Sequence, residues 1–330
     1  MPRFLPAAAL VLSGLLAVAD PAAGRTLLVG PDQPFANPSA AALVAEDGDS
    51  VLIRPGEYYD CALWTRNHLV IAGVGQGSMI TDTTCQGKAL FIVAGRDTTI
   101  RDLTLARARV PDGNGAGIRL EGEGLTLERV RFVNNQVALL ASGAGVIHIS
   151  HCRFEGGGIG GERPTFAVLI GAVSVLRIED SSFEGAAGGQ ISTSAAETEL
   201  AGNQIETGRG EAPAPGVVSV GGQLVMEDNL LSLGPNEPRL AAAVVAMGQG
   251  APELRRNRLL NTTDRPAVLL LNWTGSEPEL QGNQVSPRDI EQSAGGLWRH
   301  RASNLYYSTK DGVRAFAGRL KRGLLALVAR

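Results

Sequence analysis

The sequence predicts an all-β fold, a single-stranded parallel β-helix of about nine to ten coils with a short helix at each end. Three observations predict it. A phrase of the form apolar, any, apolar, any, any, small-or-Asn, any, apolar recurs along the chain, from TTIRDLTL (98–105) and LTLERVRF (125–132) to PELRRNRL (252–259) and PELQGNQV (278–285). Its second apolar position falls at Ile100, Leu127, Ile149, Ile178, Leu200, Met226, Leu254 and Leu280, at gaps of 22 to 29 residues. A period in that range is the signature of a solenoid. Finally, each copy holds only short apolar-alternating runs, which read as strands, with Gly, Asn or polar residues at the bends.

From the N-terminus, Arg3 and the apolar run Leu5–Val18 read as a secretory signal, with cleavage after Ala19 or Gly24. The run is too short to span a bilayer comfortably. An uncleaved anchor is the alternative. The domain division is therefore a signal peptide over 1–24, a β-helix domain over 25–290 and a tail over 291–330. A solenoid must cover its ends. In PFANPSAAALVAEDGDSVLIRPGEYYD (34–60), Asn37 or Ser39 can cap a short helix over Ala40–Ala45. VLI (51–53) then reads as the first strand.

Cys61 and Cys85 lie 24 residues apart, close to one coil. Neighbouring coils bring such positions within disulfide reach, and an exported protein meets an oxidising compartment. Cys152 is left over and reads as a buried thiol. Along the coils, a further strand precedes most copies, as in GIRL (117–120), VALL (137–140) and AVLI (167–170). The leucine-rich frame L-x-x-L-x-L is absent. Position six of the phrase holds Asn203, Asn229, Asn257 and Asn283 in four successive copies. Asn tolerates left-handed backbone, and its stacked amides can bond along the axis, so this column reads as a structural ladder.

The repeat stops after Val285. Over 313–330, Val313, Phe316, Ala317, Leu320, Leu324, Leu327 and Val328 share one helical face. Two readings stand for this amphipathic helix: packing against the rod or its open end, and peripheral contact with a membrane surface.

The entry segment, with D-x-V-x-I-x-P-G-x-Y at 49–58, resembles right-handed β-helix proteins of the pectin-lyase-like class, and with the repeats the resemblance covers about residues 30–285. It implies right-handed winding. It is silent on activity, because unrelated chemistries use this scaffold. DTTCQGKALF, LARARVPDGNGAGI and RFVNNQ resemble a bacterial family of exported β-helix proteins without an assigned activity. There the segment matching 171–195 carries His and Lys. Here it has Ala172, Gly188, Gly189 and Ser192 and neither residue type.

Function is bounded mostly by exclusion. The chain carries 30 Lys+Arg against 33 Asp+Glu, a net charge of −3. That balance does not suit nucleic acid. Gly-Lys-Ser phosphate loops, H-E-x-x-H and G-x-S-x-G are absent. His148 and His151 flank a bend and should diverge, so no metal site is expected. Pectin-lyase-like lyases and epimerases use a cation to stabilise a carbanion, a base to take its proton, and often acidic residues for calcium, the one ion the resemblance admits. The densest matching cluster gives Lys88 as base and Arg107 or Arg109 against a uronate carboxylate. Asp82, Asp112, Asn114 and Arg119 would contact the sugar. The expected function is binding of an acidic polysaccharide by an exported (periplasmic or secreted) monomer without catalysis. The alternatives are a polysaccharide lyase or C5-epimerase, and a structural or adhesive envelope rod.

Overall fold

A computed structural model of the protein describes residues 24–158, 165–209, 215–233 and 242–294. The signal sequence and the helix over 313–330 lie outside the described residues.

Each coil gives one short strand to each of three parallel sheets, and about ten coils stack. Sheet 1 has eleven strands, sheet 2 nine and sheet 3 ten. One coil shows the plan: Glu123–Glu128 lies in sheet 1, Arg131–Val133 in sheet 2 and Val137–Ala141 in sheet 3. The next coil repeats it one ladder step on, so Leu127 pairs with Ile149 and Phe132 with Phe154.

The repeated phrase aligns without a slip. Ile71, Ile100, Leu127, Ile149, Ile178, Leu200, Met226, Leu254 and Leu280 form one register column. All but Leu280 are wholly buried or nearly so. A one-residue slip would turn every apolar side chain of a strand outward, so burial fixes the register. Inside sheet 2, Phe132, Phe154 and Phe183 stack with ring centroids 4.9 and 4.4 Å apart. That spacing is close to the ~4.8 Å coil step.

Position six is a hydrogen-bonded ladder. Asn203 donates from its backbone to Asn229 Oδ1 at 2.9 Å, Asn229 likewise to Asn257 at 3.0 Å, and Asn257 to Asn283 at 2.9 Å. Each of these amides also donates to a main-chain carbonyl of the preceding coil, as Asn229 does to Leu200 at 2.8 Å. The column continues downward with smaller acceptors. Asn203 Oδ1 accepts from Ser181, Ser181 Oγ from Cys152, and Cys152 Sγ from Val130. The role of Asn differs from a left-handed bend residue. The positive φ belongs to the preceding position: Asp102 (59°), Arg129 (52°), His151 (54°), Asp180 (46°), Gly202 (66°), Asp228 (55°), Arg256 (52°) and Gly282 (66°). That residue makes the bend, and position six fills the space inside it.

Both ends of the repeat extend past the sequence reading. The first strand is Thr26–Val29, one coil before Ser50–Ile53, with which it pairs. At the other end, Ile290–Ala294 pairs with Val268–Asn272 and so belongs to the helix, not to an irregular tail. The capping helix spans Pro38–Val44, and Asn37 is its cap, accepting the Ala40 N–H at 3.1 Å. Cys61 and Cys85 form a disulfide with Cα atoms 5.4 Å apart. Burial pushes the Cys152 thiol up to about 12, so it is inert at neutral pH. Asn261 and Asn272, each within N-x-T, hold loops: each Oδ1 accepts the N–H of the Thr two residues on, at 3.0 Å.

The ladder makes one substitution diagnostic. Asn229→Ala removes the acceptor for the Asn203 N–H and the donor to the Leu200 carbonyl, both buried. The expected loss is about 2–3 kcal/mol in urea unfolding. A loss under about 0.5 kcal/mol, typical of a surface change, would mean that the column carries no stability.

Candidate functional site

The sequence-predicted cluster divides into two groups. The first lies where the chain leaves sheet 2. Strands Ser78–Thr81 and Thr104–Ala106 are paired neighbours, and the residue after each, Asp82 and Arg107, takes a left-handed turn at φ 62° and 59°. Register therefore sets Arg107 one coil beyond Asp82. Its Nε donates to Asp82 Oδ1 and Oδ2 at 3.1 and 3.0 Å, and its Nη2 to Glu57 Oε1 at 2.7 Å. All three side chains remain about two-fifths exposed. The Arg107 guanidinium is the main cause holding the Asp82 carboxyl below the usual carboxylate range. Arg107 in turn is pushed up, chiefly by Asp82 and then by Glu57.

The second group lies on the outside of sheet 3. Arg119 is in the strand Ala116–Leu120, aligned with Ile92 before it and Leu140 after it. It is nearly buried, and its Nε is 3.2 Å from Glu121 Oε1. Lys88 donates to the same oxygen at 2.7 Å. Lys88 and Arg119 are thus brought together, but by a carboxylate that the sequence reading had not named.

Arg109 joins neither group. Its guanidinium donates to the Asn134 carbonyl, to Asn134 Oδ1 at 3.2 Å and to its own neighbour's carbonyl, Ala108, at 3.0 Å. Burial lowers its pKa. The loop that carries Asp112 and Asn114 is tied down from the next coil. Gln136 Oε1 accepts the Val110 and Gly115 N–H groups at 2.8 and 2.7 Å, and its Nε2 donates to the Val110 carbonyl at 3.1 Å. Asn114 is buried and Asp112 is exposed.

Three partners were missed. Register does not find Glu57, which aligns with Met79 and not with Asp82. Glu121 and Gln136 carry no signal either, because all three contacts depend on where long side chains run. Elsewhere, His148 pairs with Glu179 at 3.2 Å and His151 with Asp180 at 3.8 Å, so the two imidazoles serve separate contacts. Among the described residues no group of three His, Cys, Asp or Glu side chains is placed to hold a metal. A shallow depression of about 210 Å³ lies over sheet 2, lined by Glu184, Gln204, Glu206, Arg209 and others.

No family model and no curated protein matches the sequence. Several solved structures are similar in chain path. A pectin methylesterase in complex with hexasaccharide VII has a TM-score of 0.48 at 12% identity, over 86% of this chain and 97% of that one. The Erwinia chrysanthemi pectin methylesterase gives 0.46 at 11%, over 87% and 97%. Geobacillus virus E2 ORF18 gives 0.47 at 12%, over 76% and 54%. Likeness at this level assigns no activity to the present chain.

The ion pairing at Arg107 has a pH signature. The Asp82 carboxyl is held low in the folded state, so its contribution is present above the unfolded value near 3.8 and is lost as pH falls through the folded value. Arg107→Ala removes the main cause of that depression. The variant should be less stable than the parent at pH 6, by a small margin because the pair is exposed. The margin should shrink below pH 4. Thermal melts at pH 6, 4 and 2.5 measure it, and a margin that grows on acidification would contradict the assignment.

Proposed function

We propose that the protein is an exported β-helix that binds a polysaccharide along its side and does no chemistry on it. The observation that carries this reading is the state of the candidate catalytic cations. Lys88 donates to Glu121, and Arg107 is shared by Asp82 and Glu57. An ammonium already donating to a carboxylate has no lone pair with which to take a C5 proton. A guanidinium held by two carboxylates must release one before it can pair with a uronate. A lyase or epimerase needs both groups available and aimed at one carbon, and here they belong to separate ion-paired groups.

Arg109 is the candidate cation with no carboxylate within ion-pair distance among the described residues. Its guanidinium is held by carbonyl and amide oxygens. It is the natural contact for the acid group of a uronate. The disulfide supports export, since such bonds persist in oxidising compartments.

Proton NMR of acidic polysaccharides in D2O with the purified protein tests the reading. One glycan should show broadened lines with no vinylic signal and no deuterium at C5. Arg109→Ala should weaken that binding about tenfold, or ~1.4 kcal/mol. Vinylic signals would establish a lyase and C5 deuteration an epimerase, and either would overturn the non-catalytic reading. If the whole panel stays sharp and unchanged, the protein is not a binder of these glycans.

A further inference from the structure

Sheet 3 is mainly apolar on both faces. Its inner side chains, such as Phe91, Ile118, Leu139, Val168 and Leu270, belong to the interior core. A second cluster is built from the alternate positions, with Ile92, Leu140, Leu169, Val218 and Val245 in one outward register row that also passes through Arg119 and Ser192. These outward residues are no more than 5% exposed. Among the described residues, the apolar side chains packed against the cluster from outside it include Cys85, Val220, Met247 and Trp273, all at the sheet's margins. A row this long and this buried requires a layer over its centre, because an apolar sheet face is stable only when covered.

We propose that the cover is the chain's own C-terminal segment, with the apolar side of residues 313–330 lying along this row. Three observations favour that occupant. The last strand, Ile290–Ala294, is itself the terminal strand of sheet 3, so the chain leaves the helix at the end of this sheet. The lengths agree: eighteen helical residues span about 27 Å, and the five coil steps from Leu140 to Leu271 span about 24 Å. The chemistry agrees as well. Val313, Phe316, Leu320, Leu324 and Leu327 form one stripe wide enough for a single row, while Arg314, Arg319, Lys321 and Arg322 fall on the other sides. Sheet 3 is then the middle layer of a sandwich between the solenoid interior and the tail, and its outer face is closed to any glycan.

Paired cysteines in the full chain test this. Leu169→Cys is combined in turn with Leu320→Cys, Leu324→Cys and Leu327→Cys, and each protein is oxidised mildly. At least one pair should give an intrachain disulfide, read as a monomer on a non-reducing gel with a tryptic peptide linking the two sites. A control with Leu260→Cys, exposed on a different sheet, should give none. No crosslink from any pair, or a crosslink only between chains, or one formed instead with Leu10→Cys in the N-terminal apolar run, would overturn the proposal. A second measurement does not need the row to be altered. Leu320→Glu with Leu324→Glu should raise binding of an apolar fluorescent dye severalfold while the far-ultraviolet β-signal is kept. Unchanged dye binding would count against the tail as cover.

Discussion

The rest of the structure depends on register. Coils pair only with the coils before and after them, through parallel ladders, and the phrase column runs from Ile71 to Leu280 without a shift. Each position must therefore suit the residue one coil away. For apolar positions the demand is loose, and Ile, Leu and Met alternate freely in the column. For buried polar positions it is strict, because an unpaired buried amide costs about 1–3 kcal/mol. Asn satisfies it by repetition. Its Oδ1 takes a backbone N–H of the preceding coil while its Nδ2 donates to a carbonyl of that coil, so one residue type can serve coil after coil.

The same constraint acts on the surface. Columns bring charged residues to ladder spacing whether or not a ligand uses them. Arg177 lies one step from Glu199 and bonds it at 2.5 Å, and Arg256 lies one step from Asp228 and bonds it at 2.9 and 2.8 Å. Asp82 with Arg107 is the same kind of pair, one coil apart at a left-handed corner. Seen beside its neighbours, the Arg107 group needs no substrate to account for its composition. The corner position demands a residue that tolerates positive φ, and alternation of charge along the column relieves repulsion between coils.

This is also why the sequence was legible for the fold and poorly so for the site. The period, the three short strands per coil, the Cys61–Cys85 spacing and the Asn column all express a one-dimensional rule that repeats in the text. The strands at both ends escaped because they break that rule. Thr26–Val29 precedes the first full phrase, and Ile290–Ala294 follows a coil whose turn reads as loop. The strand Gly189–Thr193 has no apolar signature in the text, because Gln190, Ser192 and Thr193 are polar, yet all three are fully buried. The candidate site rested on residue types clustered in the text. Its true partners, Glu57, Glu121 and Gln136, are set by where side chains run between coils, and none leaves a trace in the spacing.

Arg119 shows how far inside and outside can be inverted in such a fold. It occupies the outward row of sheet 3, between Ile92 and Leu140, and is almost without solvent contact. A charge is tolerated there only with a partner, and Glu121 at the strand's end supplies one, itself reached by Lys88 from the other end. The outer row is apolar on both sides of the pair, with Ile92 before it and Leu140 and Leu169 after it. A face with that sequence of side chains is organised as a core boundary. On the proposed glycan-binding reading, contact falls to the faces whose rows stay polar and exposed, sheets 1 and 2 and the Arg107–Arg109 corner that joins sheet 2 to sheet 3.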